Sequence, residues 1–148
     1  MTATRIRPLA KADRAAWERL VRGYITFYKA TIADDVIEET FARLLSGAPH
    51  VHQGLVAVDD DDRPIGLAHI LLHRSTWSKS WYCYLEDLFV DPSLRAKGVG
   101  RALIDAVYAA ADAQGATRTY WTTQESNYRA RGLYDQVAAK SVFVQYRR

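Results

Sequence analysis

Between Leu85 and Ile104 the chain reads LEDLFVDPSLRAKGVGRALI, and few backbone paths suit such a run. Apolar and aromatic residues carry a strand to Val90, and Asp91-Pro92 stops it because proline has no N–H for a ladder. From Gly98 the apolar positions recur at helical spacing. A glycine-rich turn at a helix start leaves backbone N–H groups without intrahelical partners, at the positive end of the helix dipole. That makes an anion site, and Arg95, Lys97 and Arg101 add fixed positive charge to it. The implied ligand carries phosphate, a diphosphate foremost.

Two common phosphate motifs fail here. A dinucleotide fingerprint needs Gly or Ala at position 103, where Leu103 stands, and a Walker loop needs Gly-Lys followed by Ser or Thr. What remains, Arg-x-x-Gly-x-Gly over 95–100 after a strand ending Val-Asp-Pro, resembles motif A of the GNAT superfamily of N-acetyltransferases. The resemblance implies acetyl-CoA as cosubstrate. Its pyrophosphate would lie on the backbone N–H groups of Arg95, Ala96, Lys97, Gly98, Val99 and Gly100, with Arg101 beside them.

The second half extends the likeness. Trp121 to Asp135 resembles motif B of the same family, in which a strand leads to Asn and then to a helix carrying Tyr. Asn127 and Tyr134 stand seven positions apart, so on a helix they share a face two turns long and can touch one extended ligand. The plainer alternatives are that Asn127 caps the helix and Tyr134 is a core aromatic. The similarity runs from Arg5 to Tyr146. It is nearest to a subgroup that includes yeast histone/polyamine-type and D-amino-acid acetyltransferases, on Tyr84-Leu85-Glu86-Asp87, Tyr120-Trp121, Leu133-Tyr134-Asp135 and the ending Phe143-Val144-Gln145-Tyr146. The family resemblance implies an α/β fold: a mixed, mostly antiparallel twisted sheet of about six or seven strands, flanked by about four helices and splayed at the acetyl-CoA site. Many family members carry Gly-Phe after the motif B helix, whereas Val142-Phe143 stands here.

At 148 residues and 49% hydrophobic the chain suits one domain over 1–148, which at this size buries roughly 68–70% of its unfolded surface. The sole cysteine, Cys83, excludes an intrachain disulfide and reads as a buried structural thiol. With no apolar signal core at the start and no run of membrane length, a cytoplasmic protein is expected. Net charge is +3, and the excess falls in residues 75–148, with 10 basic and 7 acidic side chains. No basic run with interleaved aromatics accompanies it, so neither nucleic acid nor membrane is an expected partner.

Along the chain, the patterns predict strands at Arg5–Leu9, Gln53–Val58, Ile65–Leu72, Trp81–Val90, Thr117–Thr122 and Val142–Tyr146. Helices are expected from Asp13, over Asp35–Leu45, Gly98–Gln114 and Asn127–Ala139. Trp17, Leu20, Val21, Tyr24 and Tyr28 form the apolar face of the first helix, a core face before a substrate wall. Asp59-Asp60-Asp61-Asp62 reads as a solvated hairpin turn, because it lacks the ligand spacing of an EF-hand. His50-x-His52 and His69…His73 show no zinc spacing, and there is no nucleophile elbow. No metal is expected.

Acetyl transfer from a thioester to an amine needs alignment, stabilisation of the developing oxyanion, a proton for the leaving thiolate and a neutral amine. By the resemblance, Leu88, Phe89 and Val90 bind pantetheine through free backbone groups, and the Leu88 N–H faces the thioester carbonyl. Tyr134 would protonate the sulfur. Glu86, placed two residues before Leu88 on one strand face, is the first candidate for the amine proton, and Asp87 on the other face the second. An ion pair for Glu86, or water as the base, is the competing reading. For the acceptor, a small amine, polyamine or amino acid precedes a protein lysine or N-terminus. Asp34, Asp35, Glu38, Glu39 and the aromatics Trp77, Trp81, Tyr82, Tyr84 and Trp121 are candidate walls. A non-catalytic acyl-CoA sensor is the alternative of another class. A homodimer sharing the apolar segment Val142–Tyr146 completes the expectations.

Overall fold

A computed structural model describes residues 4–94 and 97–148; Arg95 and Ala96, both expected at the phosphate turn, lie outside the described residues. The alternating segments become five strands: β1 (Arg5–Pro8), β2 (Gln53–Val58), β3 (Pro64–His73), β4 (Trp81–Val90) and β5 (Ala116–Tyr120). They lie side by side in chain order. The first three pairings are antiparallel and β4/β5 is parallel. A parallel neighbour needs a crossover, and helix α3 (Val99–Ala113) supplies it. Helices α1 (Arg14–Phe27), α2 (Asp34–Ser46) and α4 (Tyr128–Val137) complete the fold.

The period of two along each strand sends alternate side chains to opposite faces, so the sheet has two cores. On one face Trp17 and Leu20 of α1 and Ile37 and Phe41 of α2 pack with Val56, Val58, Leu67 and Phe89. On the other, Leu103, Ile104 and Val107 of α3 cover Ala57, Ala68, Ile70 and Leu85. Cys83 lies in this second core, where burial pushes its thiol up to about 11 and makes it unreactive. Helix α1 approaches β4 closely at Gly23, where an added Cβ would stand 3.1 Å from the Phe89 ring.

Two expectations change. The described residues form five strands rather than six or seven, because Val142–Tyr146 is not a strand. Val142, Phe143, Val144 and Tyr146 are 76 to 92% exposed. A strand exists only where another backbone accepts its hydrogen bonds, and the described chain offers this segment none. The aspartate run is also more than a solvated turn. Asp59 accepts the N–H groups of Asp61 and Arg63 at 2.9 Å. Asp62, with φ 62°, accepts from Arg5 at 2.6 Å and Arg7 at 2.9 Å.

Arg7 is the hub of that cluster. Its guanidinium also holds the buried Asp13 carboxylate through two bonds of 2.8 and 2.9 Å, and Asp13 accepts the Ala10 N–H as well. One cation thereby ties β1, the turn into α1 and the β2/β3 hairpin. The Arg7 bond, foremost, holds Asp13 below its ordinary value. A carboxylate depressed in the folded state contributes stability above its unfolded pKa and loses it as pH falls through the folded one. Asp13→Asn should therefore cost about 3 kcal/mol at pH 7, the low end for a broken buried pair because Arg7 keeps Asp62. It should also flatten the loss of stability below roughly pH 4, read by urea unfolding at pH 7 and pH 3.

Candidate functional site

The β4/β5 ladder is short. It runs from Trp81↔Ala116 to Tyr84↔Tyr120, while β4 continues to Val90. Among the described residues no strand lies beside the outer edge of β4 beyond Tyr84, and the two strands splay. A cavity of about 460 Å³ occupies the opening. Leu88, Phe89 and Val90 form one wall, Gly98, Val99, Gly100 and Arg101 one end, and Asn127 and Tyr134 the side facing β4. Nine residues expected at a cosubstrate site are brought together there. Lys97 is exposed and off the cavity wall, and so is Glu86.

The end of the cavity at α3 has the electrostatics of an anion site. Gly98 sits at φ 80°, a left-handed conformation costly for other residues, and turns the chain into the helix. The Ala102 N–H makes the first helical bond, to the Gly98 carbonyl at 3.0 Å, which leaves the preceding N–H groups without intrahelical acceptors. Gly100 faces α4: a Cβ there would touch Leu133 at 3.4 Å. These features fit a pyrophosphate on Gly98 to Arg101, and the unpaired β4 edge fits an extended amide-bearing arm.

Tyr134 lies edge-on to Trp121, ring centres 5.4 Å apart. Burial, with a smaller contribution from Tyr28, pushes its phenol up to about 12, so at neutral pH it is a proton donor. Asn127 does not cap α4 with its side chain; its amide donates to Thr123 Oγ1 at 3.2 Å. Tyr24 and Tyr28, read from the sequence as core face first, also line the cavity. Their hydroxyls, one helical turn apart on an otherwise apolar stripe, were the available signal.

The strand-face expectation fails for Glu86, and a bulge is the reason, whereas Asp87 does lie on the face opposite Leu88. His69 pairs with Asp87 but Ile70 with Leu85, so Glu86 is an extra residue on β4. Leu85 joins the α3-side core, yet Phe89 belongs to the α1 side and Leu88 packs toward α3. Glu86 hence does not share a face with Leu88 through simple alternation. Its carboxylate, 44% exposed, meets His52 Nε2 at 2.9 Å. Asp87 meets His69 Nδ1 at 2.9 Å, and the other ring nitrogen of His69 meets Trp17 Nε1 at 3.0 Å.

The other candidate walls are mostly engaged elsewhere. Asp34 pairs with Arg22, Arg74 covers the Trp81 ring at 3.9 Å, Tyr84 stacks on Tyr120, and Trp77 is 90% exposed. His50 packs on Trp81 while His52 holds Glu86, so the His-x-His pair does not converge. Among the described residues no group of three or more His, Cys, Asp or Glu is placed to hold a metal. No helix among them is long and apolar enough to cross a membrane.

Comparison with known proteins agrees with this architecture. Residues 16–138 match the Acetyltransferase (GNAT) family. The chain is 36% identical over 143 residues to the D-amino-acid N-acetyltransferase HPA3 of Saccharomyces cerevisiae, spanning 97% of this chain and 89% of that one. The ribosomal-protein-alanine N-acetyltransferase of Brucella melitensis superposes with TM-score 0.81 at 21% identity, over 97% of both chains. AAC(6')-Iy, solved with the bisubstrate analogue CoA-S-monomethyl-acetylneamine, superposes with TM-score 0.78 at 22% identity, over 99% of both. A splayed sheet with an anion-binding helix start, and a sequence match over most of its length, place this chain in the GNAT acetyltransferase family, as an enzyme of the acyltransferase class.

Proposed function

We propose that the protein transfers the acetyl group of acetyl-CoA to the primary amine of a small molecule, a polyamine or an amino acid, by direct attack within a ternary complex. The observation that carries this reading is the meeting of three features in one cavity: the unpaired edge of β4, the first turn of α3 and the half-buried Tyr134 phenol. The name of the 36% identical yeast relative favours an amino acid within that class. Acetyl-CoA supplies the activated thioester.

The roles follow from placement. Gly98 to Arg101 hold the pyrophosphate, and Leu88 to Val90 hold the pantetheine arm along their free edge. The Leu88 N–H stabilises the charge that develops on the carbonyl oxygen, a contribution of roughly 10²–10³ in rate for one such donor. As the new C–N bond forms and the C–S bond breaks, Tyr134 gives its proton to the departing thiolate and regains one from solvent. Glu86, exposed and bonded to His52, takes the amine proton directly or through water. The lone cysteine, buried, suits work in a reducing cytoplasm.

We further infer a homodimer. The segment Val142–Tyr146 exposes four large apolar side chains, and among the described residues the last strand of the sheet, β5, has an unpaired outer edge. Light scattering at micromolar concentration should give twice the chain mass, and a monomer there removes this part of the reading.

Acetyl-CoA should raise the melting temperature while ATP and NAD do little. Gly100→Asp should abolish that shift, since it places bulk and negative charge at the end of the cavity where phosphate approaches backbone. Equal stabilisation by ATP overturns the cosubstrate assignment, and turnover of a protein lysine but of no small amine moves the acceptor to the second class.

Tyr134→Phe keeps the ring packing against Trp121 and removes only the donor. Turnover should fall by about 10²-fold or more while the acetyl-CoA thermal shift survives. Loss of both together makes Tyr134 a cosubstrate-holding residue instead. If wild-type protein binds acetyl-CoA and acetylates nothing in pools of amines, amino acids and histone peptides, the domain is a sensor.

A further inference from the structure

One wall of the cavity is used by none of the roles above: Tyr24 and Phe27, at the end of α1, and Tyr28, which follows it. This wall stands on the other face of the sheet from α3. Leu88 and Val90 of β4 pack with the α3-side core, as do Leu133 and Tyr134 of α4, whereas Tyr24 packs with the α1-side core to which Phe89 belongs. A single cavity touches both sets. It is therefore a slot that passes through the sheet where β4 and β5 part, not a pocket on one face. A ligand whose phosphates rest on Gly98 to Arg101 starts on the α3 face, and an arm that fills the slot ends under α1.

Aromatic rings close that end. Tyr24 lies edge-on to Phe89 with ring centres 5.9 Å apart, and edge-on to Tyr28 at 4.8 Å. A spacing of four puts the two tyrosines on one helix face, one above the other. The roof is backed by core: Leu20 and Trp17, one and two turns earlier on α1, are buried, and so is Phe89. No member of this wall carries a charge, because the charged lining residues, Arg101 and Arg129, belong to α3 and α4. Burial foremost, with Asp87 and Tyr28 nearby, holds the Tyr24 phenol far above its ordinary value, so the ring stays neutral. A closed, neutral, aromatic roof discriminates by volume, since in a close-packed setting each added methylene is felt as overpacking.

We propose that Tyr24, braced by Phe89 and Tyr28, sets the acyl length of the donor: its ring closes on the methyl of an acetyl group and excludes longer acyl chains. The assignment rests on the acetyl-transfer reading above and deepens it, since it names what separates acetyl-CoA from propionyl and butyryl donors. It concerns the ratio of two donors, so the existence of transfer reports separately on that reading.

Donor selectivity of the full chain tests it, with whichever pool amine wild-type protein acetylates fastest. In wild-type protein kcat/KM for butyryl-CoA should lie about 100-fold or more below that for acetyl-CoA, two methylenes at roughly tenfold or more each. Equal values overturn the proposal, whether or not any variant folds. Tyr24→Ala should bring the two donors within about tenfold of each other, while Tyr24→Phe, which keeps the ring, should hold the wild-type ratio. If Phe relaxes the ratio as far as Ala does, the hydroxyl and not the bulk sets the limit, and the proposal falls. Phe27→Ala removes a ring from the same wall and should also hold the ratio; a relaxation equal to that of Tyr24→Ala overturns the assignment to Tyr24. Transfer from neither donor overturns the acetyl-transfer reading and the proposal together, whereas transfer from both alike overturns the proposal alone.

Discussion

The end of one hydrogen-bond ladder governs this molecule. Parallel pairing of β4 with β5 stops at Tyr84 and Tyr120, six residues short of the end of β4. Backbone donors and acceptors left along such an edge must find partners elsewhere, since an unpaired peptide group away from water is costly. A fold that leaves the edge open is therefore prepared for a guest with its own amide groups. The same divergence brings the start of α3 and the face of α4 to one opening, so a single topological event sets the Gly98 turn and Tyr134 along one cavity.

A second irregularity, the bulge at Glu86, acts on the same strand. Without it, residues 85, 87 and 89 would share a face, and Asp87 would enter the apolar core under α3. With it, Asp87 turns toward α1 and finds His69, while Leu88 and Val90 keep their packing toward α3. One inserted residue thus lets a strand serve a dry core and a polar site within a few positions. Glu86 itself turns outward, where its carboxylate meets His52.

Much of this was legible in the residues because local rules and global fold agree. β2 and β4 fall on the predicted residues, and the helices differ by a residue or two at most of their ends, since periodicity and stop signals are local. The cavity wall of Leu88 to Val90, Gly98 to Arg101, Asn127 and Tyr134 was legible because the motifs fix both spacing and element. The bulge was not, because alternation through Leu85-Glu86-Asp87-Leu88 looks regular until the pairing of β3 is known. Trp17 and His69 lie 52 positions apart and meet only once α1 packs on the sheet. The closing segment misled for a related reason: its β-propensity is real, but a strand is a property of two backbones.

Helix α1 rests on the sheet through Gly23, where the absent side chain leaves the Phe89 ring just room enough. Tyr24, Phe27 and Tyr28, on the next turn, form the wall that faces Leu88 and Tyr134. The width of the cavity is therefore set at a distance, by how far one helix stands off one aromatic ring. A methyl group at position 23 would wedge the helix outward by a few tenths of an ångström and carry three wall residues with it. What the cavity can admit is retuned in this way by a position outside its lining.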